Sequence, residues 1–152
     1  MLSKVKKLIP DRHPIRLLYH KIMAFIAAVI YGFPGRKMIV IGVTGTNGKT
    51  TTLNLLNNIL TKAGHKVGMA TTINFQIGEQ RWINDTKQTT VSPFYLQKLL
   101  KRMANERCKY ALVEVTSHAI TQSRIYGINF DVALITNISA DHVEYHGSLN
   151  NY

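Results

Sequence analysis

The sequence predicts an α/β fold, a parallel sheet with helices on both faces, on three observations. Short runs rich in β-branched residues recur along the chain, stretches of helical apolar spacing separate them, and glycine or proline marks most of the joints. A continuous apolar run such as Met38-Ile-Val-Ile-Gly-Val43 belongs to a strand buried on both faces, the usual state of a parallel strand flanked by helices. The chain shows neither an internal repeat nor a low-complexity linker.

Taken in order, residues 15–31 have helical composition, and Gly32, Pro34 and Gly35 stop any helix there. The strand at 38–43 runs into a glycine-rich turn, and a helix follows over 50–62, closed by Gly64. Residues 66–71 read as a second strand. Residues 73–77 and 80–83, around Gly78-Glu79, form either a hairpin or a two-stranded flap. Pro93 stands where helices begin, and Phe94, Leu96, Leu99, Leu100 and Met103 supply that helix with its apolar stripe. Residues 110–115 are another buried strand, 118–124 a short helix, and 131–136 a further strand ahead of a polar loop.

Composition narrows the classes. Of 152 residues, 45% are apolar and 18% charged, enough for a core and too little charge for a disordered chain. The single Cys108 excludes an internal disulfide framework and fits a reducing, cytoplasmic compartment. No uninterrupted apolar run reaches the ~18 residues of a membrane span. The formal charge of +11 suggests a nucleic-acid partner until its distribution is read. Residues 1–37 hold eight basic side chains and one acid, which is +7 of the +11, and residues 38–152 offer no basic-aromatic platform for nucleic acid. Three readings of residues 1–37 stand together: a helix packed on the following domain, an interfacial helix with basic residues on anionic lipid, and a signal segment without an obvious cleavage site.

The strongest motif is Gly42-Val-Thr-Gly45-Thr-Asn-Gly48-Lys49-Thr50-Thr51, between a buried strand and a helix, which is the setting of a phosphate-binding loop. Glycines let the backbone turn and aim N–H groups at an anion, and the helix N-terminus adds partial positive charge on the same line. Lys49 is placed for the β- and γ-phosphates, and the Thr50 hydroxyl for Mg²⁺. The general pattern asks for glycine five residues before Gly48, where this chain has Val43. With that departure, the motif reads as an NTP site in a P-loop-type three-layer sheet.

The longer string Thr-Gly-Thr-Asn-Gly-Lys-Thr-Thr resembles the Mur ligase family, ATP-dependent enzymes that join amino acids to carboxylates in peptidoglycan assembly. Glu114-Val-Thr-Ser-His118-Ala-Ile is similar to the family's Glu-Val-Ser-Ser-His-Ala-Leu. The stretch from Phe130 through Asn137-Ile-Ser-Ala-Asp141-His142-Val-Glu-Tyr-His146-Gly is similar to a second family block. Both are most like the subgroup that adds the third amino acid to UDP-MurNAc-L-Ala-D-Glu. The likeness covers residues 38–152; residues 1–37 do not resemble the family's uridine-nucleotide-binding first domain.

The resemblance implies roles by position. Gly45, Thr46, Asn47, Gly48, Lys49, Thr50, Thr51 and Asn137 stand where the family binds ATP, and Thr50, Glu114 and His142 where it holds magnesium. Lys49, Glu114 and His142 are thereby the catalytic set. A carboxylate ending a buried strand suits a hard cation, whereas histidine is an unusual Mg²⁺ ligand, so His142 depends on the likeness. Thr89-Thr90 resembles a pair that binds the muramyl-peptide, although Val91-Ser92-Pro93 follows in place of an immediate proline. Thr116, Gln122 and Arg124 match further substrate contacts, the planar guanidinium suiting a carboxylate or phosphate. His118 fits a structural place as well as a site one. His13, His20 and His65 read as surface residues, and the role of Trp82 is left open.

The implied reaction uses ATP and Mg²⁺ to make an acyl phosphate on a UDP-MurNAc-peptide, which the amino group of an amino acid then opens. The family's carbamylated lysine and its C-terminal domain would fall beyond Tyr152. The 152 residues on their own are therefore expected to bind ATP weakly at most, as a monomer, and not to ligate. The rival readings are a folylpolyglutamate- or cyanophycin-synthetase-like ligase, and a non-catalytic ATP-binding module at the membrane surface.

Overall fold

The computed structural model describes residues 13–86 and 89–139. Helix α1 (Pro14–Tyr31) is started by Pro14 after the His13 side chain, whose imidazole accepts a hydrogen bond from the Ile15 N–H, and is ended by Gly32 in the left-handed region. A single 3-10 turn (Pro34–Lys37) leads into β1 (Ile39–Thr44), α2 (Lys49–Lys62) and β2 (Val67–Ala70). Strands β3 (Asn74–Ile77) and β4 (Gln80–Ile83) are joined at Gly78-Glu79, so the hairpin reading holds. Helix α3 (Pro93–Asn105), strand β5 (Tyr110–Glu114), helix α4 (Ser117–Thr121) and strand β6 (Val132–Ile135) follow. The last helix is shorter than the sequence suggests, because Gln122 caps it and Ser123 turns into a positive φ.

The strands form one sheet in the order β4-β3-β2-β5-β1-β6. β2, β5, β1 and β6 are parallel, whereas β3 and β4 run antiparallel and extend the sheet on the β2 side, making it mixed. Strand alternation divides the core into two. Val43, Val67, Met69 and Leu112 point to the α2 side and pack with Leu53, while Val40, Ala111, Val113 and Val115 meet Leu96, Leu99, Leu100 and Met103 on the α3 side. Three layers result, with β2 and β5 the middle pair of the sheet and β1 between β5 and the edge strand β6. The same alternation along β5 gives Glu114 the side of Leu112, toward the N-terminus of α2. The sequence buries a carboxylate there because strand parity demands it.

Helix α1 packs on α3 through small residues: Ala24, Ala27 and Ala28 are fully buried. The described part of this segment, residues 13–37, thus packs on the domain by its alanine stripe, while its large apolar side chains, such as Leu18, Ile22 and Val29, stay exposed instead of packing there. The helix is also 18 residues long with a mean hydropathy of 1.3, so by length and composition alone it passes as a membrane span. Counting only uninterrupted apolar residues misses this, because Arg16 and Lys21 break the run without lowering its average enough.

Candidate active site

β1 ends at Thr44, and the chain turns through Gly45 (φ +130°) and Gly48 (φ +83°) before α2 begins at Lys49. Gly45 is required twice over. Its φ is one that side chains rarely adopt, and a Cβ there would overlap the Thr136 hydroxyl and the Asn137 backbone. The loop is clasped from the segment after β6. Asn47 N–H donates to Asn137 Oδ1 (3.1 Å) and Asn137 Nδ2 donates back to the Asn47 carbonyl (3.0 Å). Thr136 Oγ1 donates to the Asn47 carbonyl at 2.7 Å, the Thr46 N–H to the Asn137 carbonyl at 3.1 Å, and the Ser139 N–H to Thr46 Oγ1 at 3.0 Å. These bonds fix the turn against the segment after β6. Lys49 bends over it, its Nζ donating to the carbonyls of Gly45 (2.7 Å) and Thr46 (2.8 Å). A lysine resting on neutral carbonyls exchanges them readily for a phosphate, a stronger charge-assisted acceptor.

The Glu114 carboxylate is 3% exposed and reaches the first turn of α2. Thr50 Oγ1 donates to its Oε2 at 2.8 Å. The Thr72 N–H donates to the same oxygen (2.9 Å) and Thr72 Oγ1 to Oε1 (2.9 Å). Sequence reasoning misses Thr72; the available signal is that Thr71-Thr72 directly follows β2 at the carboxyl edge, where doubly wound sheets place their sites. Carboxylate and hydroxyl oxygens brought this close are the donor type that Mg²⁺ prefers, so Thr50 and Glu114 fit a hard cation. His142, the third predicted ligand, lies outside the described residues, as do Asp141 and His146. Among the described residues no three His, Cys, Asp or Glu side chains gather as a metal cluster.

The predicted substrate residues join this site through Glu114's own backbone. Thr90 Oγ1 donates to the Glu114 carbonyl (3.1 Å) and accepts from the Thr116 N–H (3.2 Å), while Thr116 Oγ1 caps α4 by accepting from the Ala119 N–H. Arg124 Nη1 donates to the Thr90 carbonyl (2.6 Å), and its Nε and Nη2 both donate to Gln122 Oε1 (2.9 and 2.7 Å). Thr90, Thr116, Gln122 and Arg124 thus form one connected wall; Thr89, half-buried, is adjacent in sequence, and Thr51 lies on α2 with its side exposed. His118 sits half-buried on α4, two residues from Thr116. Trp82 belongs elsewhere: it packs on Phe75, with the Arg102 guanidinium over its ring at 5.2 Å.

Residues 43–152 match the family model described as the Mur ligase middle domain. The chain is 43% identical over 132 residues to the UDP-N-acetylmuramyl-tripeptide synthetase of Roseiflexus sp. (strain RS-1), covering 86% of this chain and 26% of that protein. It is 46% identical over 127 residues to a UDP-N-acetylmuramoyl-L-alanyl-D-glutamate–2,6-diaminopimelate ligase of Phocaeicola vulgatus, covering 84% of this chain and 26% of that one. A solved diaminopimelate ligase of the same description superposes with a TM-score of 0.66 at 31% identity, over 76% of this chain and 23% of the other. Escherichia coli FolC, solved with DHPP and ADP, superposes at 0.59 with 21% identity, over 82% of this chain and 36% of that one, a likeness of fold. The chain spans about a quarter of the length of the curated relatives it matches. Residues 38–152 make up about three-quarters of the chain, so an alignment over 86% of it also takes in part of the N-terminal segment.

Proposed function

The chain belongs to the Mur ligase family, and on that premise we propose that it carries the ATP and magnesium site of an amide ligase of peptidoglycan precursor synthesis. The acceptor is a UDP-MurNAc-peptide carboxylate, and the product is that peptide lengthened by one amino acid. The observation that carries the reading is the Thr50–Glu114–Thr72 cluster seated beneath a glycine-turned loop. Within this reading, residues 38–152 belong to the central, ATP-binding domain and residues 1–37 form a helical segment ahead of it, in the cytoplasm.

Each residue's role follows from its charge and place. The N–H groups of the loop and the start of α2 face the phosphates, and Lys49 leaves the Gly45 and Thr46 carbonyls for the β- and γ-oxygens. Thr50, Glu114 and His142 are the residues that would hold Mg²⁺. When bound, the cation neutralises charge on the phosphate oxygens. Asn137 keeps the loop in shape by bridging Asn47. The acceptor carboxylate lies against Thr89, Thr90 and Thr116, oriented by an Arg124 guanidinium that Gln122 fixes in plane. That carboxylate attacks the γ-phosphorus, ADP leaves, and an acyl phosphate forms. The amine of the incoming amino acid then attacks the acyl carbon, phosphate leaves, and the nitrogen loses a proton to solvent. Positioning and charge neutralisation do most of the work, and no protein nucleophile is used.

A substrate screen of the complete gene product tests the reading. Phosphate release with ATP is expected when UDP-MurNAc-L-Ala-D-Glu and a third amino acid are both present, with the matching mass gain in the product. Turnover on a pteroate or folate with glutamate instead would move the protein to the FolC-like branch, whose fold it shares.

A further inference from the structure

The outward face of α1 has no role in the site just described, and its pattern is specific. Ile15, Leu18, Tyr19, Ile22, Phe25, Ile26, Val29 and Ile30 are each 40–67% exposed. At 3.6 residues per turn these eight positions fall within about 140° of the helix circumference. The centre of that arc lies opposite Ala24, the middle of the fully buried alanine face. Arg16 and Lys21 stand at about 110° on either side of the centre, so a basic residue borders the apolar arc on both flanks. Arg36 and Lys37 follow just beyond the helix, and Lys4, Lys6, Lys7 and Arg12 precede it in sequence. From residue 12 to residue 78 the chain contains no acidic side chain at all.

We propose that α1 is a docking surface for an anionic phospholipid bilayer, lying in the plane of the interface with its apolar arc in the acyl boundary. The argument is charge complementarity joined to shape. A helix with one apolar arc and basic borders matches the interfacial class, although the Lys21 ammonium rests 5.0 Å from the Tyr126 ring centroid and would have to leave it to reach headgroups. The local +7 is what an anionic leaflet attracts. The helix lies on the bilayer and does not cross it, because crossing would strip Ala24, Ala27 and Ala28 from their packing on α3. A second copy of the chain is a poorer occupant, since a symmetric contact would bring two such basic segments together. The proposal stands apart from the ligase reading and holds or fails without it.

Flotation of the 152-residue chain with vesicles tests it. Binding to phosphatidylcholine vesicles carrying about 30% phosphatidylglycerol is expected to exceed binding to pure phosphatidylcholine at least about tenfold. Raising salt from about 0.1 M to about 0.5 M is expected to remove most of that preference. The double variant Leu18→Glu/Ile22→Glu is expected to lose at least about tenfold in binding, with circular dichroism and thermal midpoint unchanged because both side chains face solvent. The triple variant Lys4→Gln/Lys6→Gln/Lys7→Gln keeps the apolar arc and is expected to lose about fivefold per lysine on anionic vesicles alone. Equal binding to neutral and anionic vesicles overturns the proposal. So does an apolar-arc variant that floats like the parent, or one that abolishes a dimer in sedimentation while vesicles are ignored.

Discussion

Strand β5 has a buried titratable side chain near each end, and the two ends handle theirs in opposite ways. Glu114, at the carboxyl end, is 3% exposed and sits among hydroxyl and N–H donors from two other segments. Cys108, two residues before the strand begins, is equally buried but lies in the apolar cluster of α3, β3 and β5. The charges near it, Lys66 and Glu106, pair with each other on the surface at 2.9 Å. At the amino end the thiol itself is finished as a piece of packing, beside an open cleft lined by Lys66, Gln76, Gly78, Arg102 and Glu106. The carboxyl end keeps a carboxylate whose described partners are all neutral, an arrangement that a bound cation would stabilise. The contrast is why the proposed site is placed at the carboxyl edge of the sheet.

The contrast breaks most severely at Gly45. Gly45→Val places a side chain at φ +130° and into Thr136 and Asn137, and is expected to cost about 3 kcal/mol, or about 10 °C in thermal midpoint for a chain of this size. A midpoint unchanged in differential scanning calorimetry would mean that the segment after β6 does not clasp the loop. Glu114→Gln sharpens the comparison from the other side. It keeps the shape and removes the buried charge, so the metal-free chain is expected to be as stable as the parent or up to about 1 kcal/mol more so. The Mg²⁺-dependent part of nucleotide binding, read with a fluorescent ADP analogue, is expected to fall at least about tenfold. A large loss of stability would instead make Glu114 a structural carboxylate.

Much of this was legible in the chain, and the exceptions have physical causes. Strand β4 and helix α3 follow from local chemistry, the turn at Gly78-Glu79 and the Ser92-Pro93 start, where Ser92 Oγ accepts from the Tyr95 N–H. The phosphate loop was readable because its backbone needs glycine at fixed places. Thr72 was not, because its role arises only when β2 and β5 become neighbours in the sheet and bring it to Glu114, 42 positions away. The clasp on the loop from Thr136 and Ser139 is hidden for the same reason: β6 joins β1 across the sheet, and no local pattern announces it. Asn137 stood out in the sequence as a nucleotide contact, and the structure gives its side chain to Asn47. Asn137→Ala is accordingly expected to cost about 1 kcal/mol, two exposed hydrogen bonds at modest net value, seen as a small drop in urea midpoint.

The smallest expected effect concerns the other end of β5. Burial pushes the Cys108 thiol above its ordinary value of 9.0, outweighing the opposing influence of Lys66 and of a backbone hydrogen bond with Gly78. Below that ordinary value the thiol is protonated in both folded and unfolded chains, so it adds no pH dependence to stability. Above it the unfolded chain releases the proton while the folded chain retains it, and the difference favours unfolding as pH rises toward the folded value. Stability by urea titration is therefore expected to decline as pH rises above about 9, with a contribution from Cys108 of at most about 1.4 kcal/mol per pH unit. Cys108→Ala carries a constant packing cost from the lost sulfur, and the informative quantity is the slope. A flatter pH dependence in the variant is the expected outcome. Parallel slopes would show that the thiol ionises as easily in the fold as outside it, and that the amino end of β5 is wetter than its packing implies.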